Sequence, residues 1–318
     1  MRELTIQKND ADQRLDRFLG KAVPLLPASL AQKYIRLKRI KVNGARAERD
    51  YRLCEGDRLQ LYLNDEFFEA PSEENVYLTI VNPRLHIIYE DENIMLLDKP
   101  AGMVVHADEG EKVNTLVNHL LAYLYQKREW KPREENAFTP ALCNRIDRNT
   151  GGIVIAAKNA EALRVLNEKI RERELSKFYL CICLGRPEPP KGRIECFLRK
   201  DSKTNTVRVY HHPVPDGRSA VTLYETLETR DRLSLVEVEL LTGRTHQIRA
   251  SFADIGHPLL GDGKYGVGSV NRRYGETQQA LYSYRLRFDF PTDAGILNYL
   301  RGREFIADEV PFRRKYFG

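Results

Sequence analysis

No apolar run in the 318 residues approaches the roughly 18 that a membrane-spanning helix needs. The opening stretch, MRELTIQKNDADQRLDRF, has neither a hydrophobic region nor a small-residue cleavage pattern. That predicts no secretory signal, no membrane partner and a cytoplasmic location. Cysteine is scarce: Cys54, Cys143, Cys181, Cys183 and Cys196 are odd in number and contain no CxxC pair. A disulfide framework and a structural zinc site are both disfavoured, and reduced thiols are expected. Internal repeats, low-complexity tracts, a P-loop, a dinucleotide-type glycine turn and metal-ligand spacing are also missing.

What is present suits a globular chain of about two domains at roughly 150 residues each. Apolar residues make up 42%, enough for a sizeable core. The net charge of +6 is unevenly spread, because residues 1–64 alone carry 14 Lys/Arg against 8 Asp/Glu. Between Arg17 and Ala47 there are eight basic residues and no acid. A solvated helix face usually mixes signs, so this bias points to a phosphate backbone. Lys33, Arg36, Lys38, Arg39 and Lys41 are the candidate RNA-binding residues.

Periodicity supplies a coarse map. Leu15, Phe18 and Leu19 mark one apolar helix face, broken by Pro24 and Pro27. Ser29 is expected to cap a second helix with Leu30, Tyr34 and Leu37 turned inward. Asn43-Gly44 is a turn, and residues 58–63 alternate as a strand. Residues 1–64 are read as one small unit, the acid-rich residues 65–80 as a linker, and residues 81–318 as the larger domain. There, strands are expected at 85–89, 94–98, 152–157, 178–184, 221–227, 234–241 and 281–290, with a hairpin over 193–210. Helices are expected at 114–128, from Asn159 to about 173, and from Thr245 to 255. This is an α+β domain with a largely antiparallel sheet.

Three segments hold polar residues that a fold alone does not require. Residues 141–152, ALCNRIDRNTGG, set Asp147 between Arg145 and Arg148 in a loop before a buried strand. Neighbouring positive charge favours the carboxylate form, which can serve as nucleophile or base. An ion-pair cluster opening a strand explains the segment equally well. In residues 241–250, LTGRTHQIRA, Thr245 is expected to cap a helix whose Ile248, Phe252 and Ile255 face inward. His246 and Arg249 share a neighbouring face, able to offer a bidentate guanidinium to a carboxylate. A capped helix with surface charges is the plain alternative. In residues 176–185, SKFYLCICLG, Tyr179 can stack on a base or sit in a core with its hydroxyl satisfied.

Together, residues 99–106 (KPAGMVVH), 144–152 (NRIDRNTGG), 177–179 (KFY), 243–249 (GRTHQIR) and 256–262 (GHPLLGD) resemble the RluA-type pseudouridine synthases. The unit from RLDRFL at residue 14 to DRL at 57–59 resembles the S4-like RNA-binding domain, a small α/β module. The resemblance spans about residues 14–290. It implies an antiparallel mixed-sheet pseudouridine synthase catalytic domain with a central RNA cleft. It assigns catalysis to Asp147, with Arg249 as its salt-bridge partner and Tyr179 against the target base. Arg145 becomes the side chain that fills the gap left by a flipped uridine, and Ile248 an apolar contact in the pocket. Arg148, Thr150, Arg244 and His246, from the same motifs, are expected around the substrate. The partner implied is ribosomal or transfer RNA, bound by a monomer. No cofactor or metal is needed, because every bond broken or formed lies within one nucleotide. Asn144 and Gly151 stand where the family usually has His and Ser. These departures favour the alternative of an RNA-binding or assembly protein that keeps the fold with weakened catalysis. A hydrolase pairing Asp147 with His106, His246 or His257 has no nucleophile-elbow or metal motif behind it.

Overall fold

The computed structural model describes residues 1–23, 26–63, 65–68, 72–132 and 134–318. The chain forms two compact units. One comprises Met1–Arg84, Val117–Ala141 and Ala157–Leu163; the other comprises Leu85–Leu116, Leu142–Ala156 and Arg164–Gly318.

The first unit opens with β1 (Arg2–Thr5), α1 (Leu15–Ala22) and α2 (Ala28–Arg36), followed by β2 (Ile40–Val42), β3 (Ala45–Arg46) and β4 (Arg58–Leu61). The four strands pair antiparallel in the order β1-β4-β2-β3. Leu15, Phe18 and Leu19 are fully buried against Ile35, Ile40, Leu59 and Leu61, as the helical spacing predicts. The expected breaker Pro24 lies outside the described residues, and α1 ends at Ala22. Two details differ from expectation. Pro27, not Ser29, is the N-cap of α2, and no side chain caps it. The buried stripe of α2 is Ala31 and Ile35, while Leu37 is 56% exposed. Leu37 is the C-cap residue, where the chain has left the helical face.

Of the expected linker, Glu69, Ala70 and Pro71 lie outside the described residues, as does Asn64 just before it. Short 3-10 turns occupy Asp65–Phe68 and Ser72–Thr79. Tyr77 is buried, with its ring 5.6 Å from Tyr125 and 5.1 Å from Trp130. Asp10 is buried too, and its carboxylate accepts Asn136 Nδ2 at 2.9 Å and the Ala137 N–H at 3.1 Å. Residues near 137 therefore belong with the N-terminal residues, so the unit is discontinuous along the chain.

The second unit is built on an eleven-stranded sheet. Along the chain, β5 (Ile87–Glu90) and β6 (Ile94–Lys99) are followed by α3 (Leu116–Gln126), nearly all of which belongs to the first unit, then β7 (Ala141–Leu142), β8 (Gly151–Ala157) and α4 (Ala160–Arg171), whose first residues also belong to the first unit. Then follow β9 (Leu175–Leu184), β10 (Lys191–Asp201), β11 (Thr206–Tyr210), β12 (Arg218–Arg230) and β13 (Leu233–Leu240). The chain closes with α5 (Gln247–Asp254), α6 (Gly268–Tyr274), β14 (Leu281–Phe288), β15 (Glu304–Ile306) and α7 (Pro311–Tyr316). The strand order is β11-β10-β12-β13-β9-β14-β8-β6-β5, with β15 on β14 and β7 on β8. Every pairing given a register is antiparallel except β8 on β14. Asn159 caps α4 as expected, its Oδ1 accepting the Ala162 N–H at 2.9 Å.

The parallel pair explains Gly151-Gly152. Gly151 lies beside Tyr282 and Gly152 beside Ser283. A Cβ on Gly151 would stand 2.4 Å from the Tyr282 ring, and one on Gly152, at φ +111°, 2.2 Å from the Ser283 carbonyl oxygen. At Gly152 only glycine lets the two backbones approach this closely, and at Gly151 a side chain would have to displace the Tyr282 ring.

Candidate active site

The loop between β7 and β8 carries Asp147, and several contacts set its shape. The Cys143 N–H donates to the Ile155 carbonyl at 2.7 Å, and Asn144 Oδ1 accepts the Ile155 N–H at 2.8 Å. Asn144 thus fastens the loop to the strand that follows. Lys99 is fully buried at the end of β6 and donates to the carbonyls of Pro100, Met103 and Arg148 at 3.0, 2.8 and 2.9 Å. Three carbonyl oxygens match the three N–H bonds of an ammonium. Burial still pushes Lys99 down to about 7, against the opposing pull of Asp147 and Asp98. Sequence reasoning quoted Lys99 within a motif but assigned it no task. A lysine ending an otherwise apolar strand was the available signal.

Opposite the loop stands Arg249 on α5, 5% exposed. Its Nη1 donates to Asp147 Oδ2 at 2.8 Å, the expected pair. The bidentate fork, however, goes elsewhere: Nε and Nη2 donate to Asp262 Oδ2 and Oδ1 at 2.7 and 2.8 Å. The expectation of a fork on Asp147 is corrected accordingly. Asp262 Oδ1 also accepts the backbone N–H of Lys264 and Tyr265 at 2.8 and 3.1 Å. Burial raises the Asp262 pKa, but Arg249 and these N–H groups outweigh it and leave it lowered. For Arg249, burial is likewise outweighed by Asp262 and Asp147, so its pKa is raised. Asp262 is the functional residue that sequence reasoning missed. Its position at the end of a quoted motif was the only hint.

α5 begins later than expected. Gln247 is its first residue and His246 its N-cap, at φ +52°, so Thr245 does not cap. The Gln247 side chain does the fastening: its Oε1 accepts Thr242 Oγ1 at 2.9 Å and the Arg244 N–H at 3.1 Å. A left-handed histidine costs on the order of 1 kcal/mol, and it turns the imidazole inward. His246 Nδ1 lies 2.8 Å from Tyr265 Oη, which also accepts the Val207 N–H at 2.7 Å. His246 Nε2 lies 3.8 Å from Asp147 Oδ2. Burial first, and then Arg249, press His246 down to about 4 against the pull of Asp147, so the ring is neutral.

The other expected residues divide into two groups. Tyr179 is buried on β9 between Val238 and Ser283. Burial, with Asp147 adding to it and a Ser283 hydrogen bond opposing it, pushes its phenol up to about 12. Arg145 is exposed, and Ile248 is buried in the first turn of α5. Three residues do not converge on the carboxylate. Arg148 turns to Asp108, its Nη2 2.7 and 2.9 Å from the two oxygens. It does not pair with Asp147 as the flanking arrangement suggested, because adjacent side chains in the loop diverge. Thr150 is buried, and its hydroxyl accepts Gln279 Nε2 at 3.2 Å. Arg244 Nε donates to the Ser219 carbonyl at 3.1 Å.

The arrangement is a partly open carboxylate, 27% exposed, held by a buried arginine and approached by a neutral imidazole. It offers acid–base or nucleophilic chemistry at one oxygen pair. Residues 93–254 match the family described as RNA pseudouridylate synthase, and residues 13–59 match the S4 domain. An uncharacterized RNA pseudouridine synthase of Mycoplasma genitalium is 33% identical over 89% of this chain and 88% of its own length. The ribosomal large subunit pseudouridine synthase C of Vibrio parahaemolyticus is 30% identical over 91% and 88%. Among solved structures, human RNA pseudouridylate synthase domain containing 1 aligns with a TM-score of 0.54 at 20% identity, covering 78% of this chain and 96% of that one, which supports the fold. The chain is a member of the RNA pseudouridylate synthase family, an RNA-isomerising enzyme with an S4 RNA-binding domain near its N-terminus.

Proposed function

We propose that this synthase isomerises specific uridines in structured RNA, ribosomal RNA foremost and transfer RNA as a second class, with Asp147 as the catalytic carboxylate. The observation that carries the reading is the partly open Asp147 carboxylate on Nη1 of a buried, doubly paired Arg249. Relatives named as ribosomal large subunit synthases support the choice of RNA. The reaction breaks the N1–C1′ bond of the uridine and forms a C5–C1′ bond. N1 gains a proton and C5 loses one, so no cofactor is consumed. A stacked uridine must first leave the helix, at a cost of a few kcal/mol. Exposed Arg145 is the side chain that fills the gap in this reading, with the basic N-terminal residues holding the backbone. Asp147 acts at the sugar or the base, as nucleophile or as general base. Tyr179 keeps its proton at neutral pH and serves as a packing and donor group against the base. The chain works as a cytoplasmic monomer.

The test is to incubate wild type and Asp147→Asn with unmodified total RNA and to map pseudouridines. The substitution nearly preserves shape, so wild type should modify discrete uridines while the variant binds RNA without turnover. A variant rate above about one tenth of wild type, a barrier change under about 1.4 kcal/mol, would overturn the assignment.

A further inference from the structure

Gly151, which opens β8 just after the Asp147 loop, is crossed by a side chain that links its two neighbouring strands. β8 runs between β14 and β6. Tyr282 of β14 is the partner of Gly151 in the parallel register. Its ring lies over the glycine, where a Cβ would stand 2.4 Å from one ring carbon and 2.7 Å from another. From there Tyr282 Oη reaches β6 and donates to Asp98 Oδ1 at 2.6 Å. Both residues are 8% exposed. Burial first, and then Asp98, push the phenol up, so it keeps its proton and stays a donor. The other carboxylate oxygen, Asp98 Oδ2, lies 3.4 Å from Nδ1 of the exposed His86. Filling this space requires only an apolar ring over an apolar neighbour, and a buried carboxylate is costly unless it is bonded. What the phenol–carboxylate pair adds is a link of fixed length and direction across β8.

The two ends of this strap adjoin the site. Asp98 is followed by Lys99, whose ammonium holds the Arg148 carbonyl of the catalytic loop at 2.9 Å. Tyr282 is followed by Ser283, which pairs with Tyr179 in the antiparallel register and hydrogen-bonds its phenol. Consecutive residues of a strand face opposite sides of the sheet. Asp98 and Tyr282 therefore bond on one face, while Lys99 and Ser283 meet the catalytic loop and Tyr179 on the other.

We infer that Tyr282, bonded to Asp98 across Gly151, is a positioning residue that seats the start of β8 and thereby fixes the Asp147 loop against Arg249. This rests on the proposed role of Asp147. Gly151 then departs from the family's usual serine because Tyr282 occupies the room that a side chain would take.

The test uses full-length variants, each well below its melting temperature. Single-turnover pseudouridine formation on saturating, unmodified large-subunit ribosomal RNA is measured with RNA affinity and with tryptic cleavage after Arg145 and Arg148. Tyr282→Phe keeps the ring and loses the bond. Its rate should fall about tenfold or more at unchanged affinity, since small misplacements of a reacting group are costly. Cleavage in the loop should quicken relative to cleavage within residues 1–63. Asp98→Ala should behave alike, while Asp98→Asn, whose amide oxygen still accepts the phenol proton, should recover most of the rate. Gly151→Ser should lower rate and melting temperature, and adding Tyr282→Ala, which clears the space, should raise the melting temperature again. Wild-type rate and loop cleavage in Tyr282→Phe would overturn the inference. So would Asp98→Asn no different from Asp98→Ala, or a second substitution that only adds to the loss in Gly151→Ser. Asp147→Asn in parallel keeps the two proposals apart. Turnover in that variant, or none in wild type, contradicts the proposed function, while loop cleavage and the melting temperatures still judge the strap.

Discussion

Lys33, Arg36, Lys38 and Arg39 of the N-terminal unit are exposed, and Lys41 is half-buried. In the larger unit, Arg249 is 5% exposed and held by two carboxylates. The two groups of cations follow different physics. Charge in water is weakened by solvent and salt, so no single surface lysine matters much, and the effect lies in their number and sign. Charge out of water is costly unless each hydrogen bond is made, so one buried arginine depends on its geometry. The first arrangement suits a long polyanion gripped in many registers. The second suits one carboxylate held in one orientation. Arg249 shows how a single guanidinium does this: its fork on Asp262 fixes the plane, and the remaining Nη1 is thereby aimed at Asp147.

The largest contrast should come from Arg249. Arg249→Met leaves Asp262 buried without its partner, a change of the kind that costs about 3–5 kcal/mol. Urea unfolding should show that loss together with loss of turnover. Arg249→Lys should keep the charge and part of the stability. It should nevertheless lose most activity, because an ammonium cannot serve Asp262 as a fork and Asp147 at once. Near-wild-type turnover in Arg249→Lys would mean that charge, not geometry, is what the site requires.

Reversing Lys33 and Arg36 to glutamate should have a smaller and different effect. RNA affinity should fall about tenfold or more at low salt, with a shallower salt slope and an unchanged melting temperature. Turnover at saturating RNA should survive. A melting temperature lowered by several degrees would show that these residues are structural. Charge reversal is a cleaner test than deleting residues 1–64, since Asp10 holds residues 136 and 137 in place and truncation would strip that contact.

The smallest expected effect is a pH slope. The folded His246 pKa, about 4, is below the ordinary 6.5, so the unfolded chain binds the proton more readily between those values. Stability contributed by the neutral ring is present above about pH 6.5 and is lost as pH falls toward 4. Comparing unfolding free energy across this window in wild type and His246→Gln should show up to one proton's worth of slope disappearing. An identical slope in both would place the titration on another group.

The reach of sequence reasoning differed between the same two regions. The N-terminal unit was legible because its signals are local: i, i+3, i+4 spacing put Leu15, Phe18 and Leu19 in the core, and the charge bias needed only counting. The errors there were local as well, at the cap and last turn of α2, where one residue changes the face. In the larger unit the strands expected at 152–157 and 178–184 and the hairpin expected over 193–210 correspond to Gly151–Ala157, Leu175–Leu184 and the pair Lys191–Asp201 and Thr206–Tyr210. The Arg249–Asp147 pair, 102 positions apart, came from resemblance and not from pattern. Asp262 and Lys99 were missed because a buried polar residue has the same local signature as an exposed one. Only its surroundings distinguish them.

Composition and periodicity by themselves determined an α+β chain, the basic N-terminal residues and the polar loop around Asp147, since each depends on neighbours within a few positions. Tertiary structure alone decided which of Asp147 and Asp262 receives the fork of Arg249, that His246 lies against Tyr265, and why glycine stands at 151 and 152. Those outcomes are set by distances between strands and helices far apart in sequence. A buried hydrogen bond is made or lost over a few tenths of an ångström, a scale to which periodicity is blind.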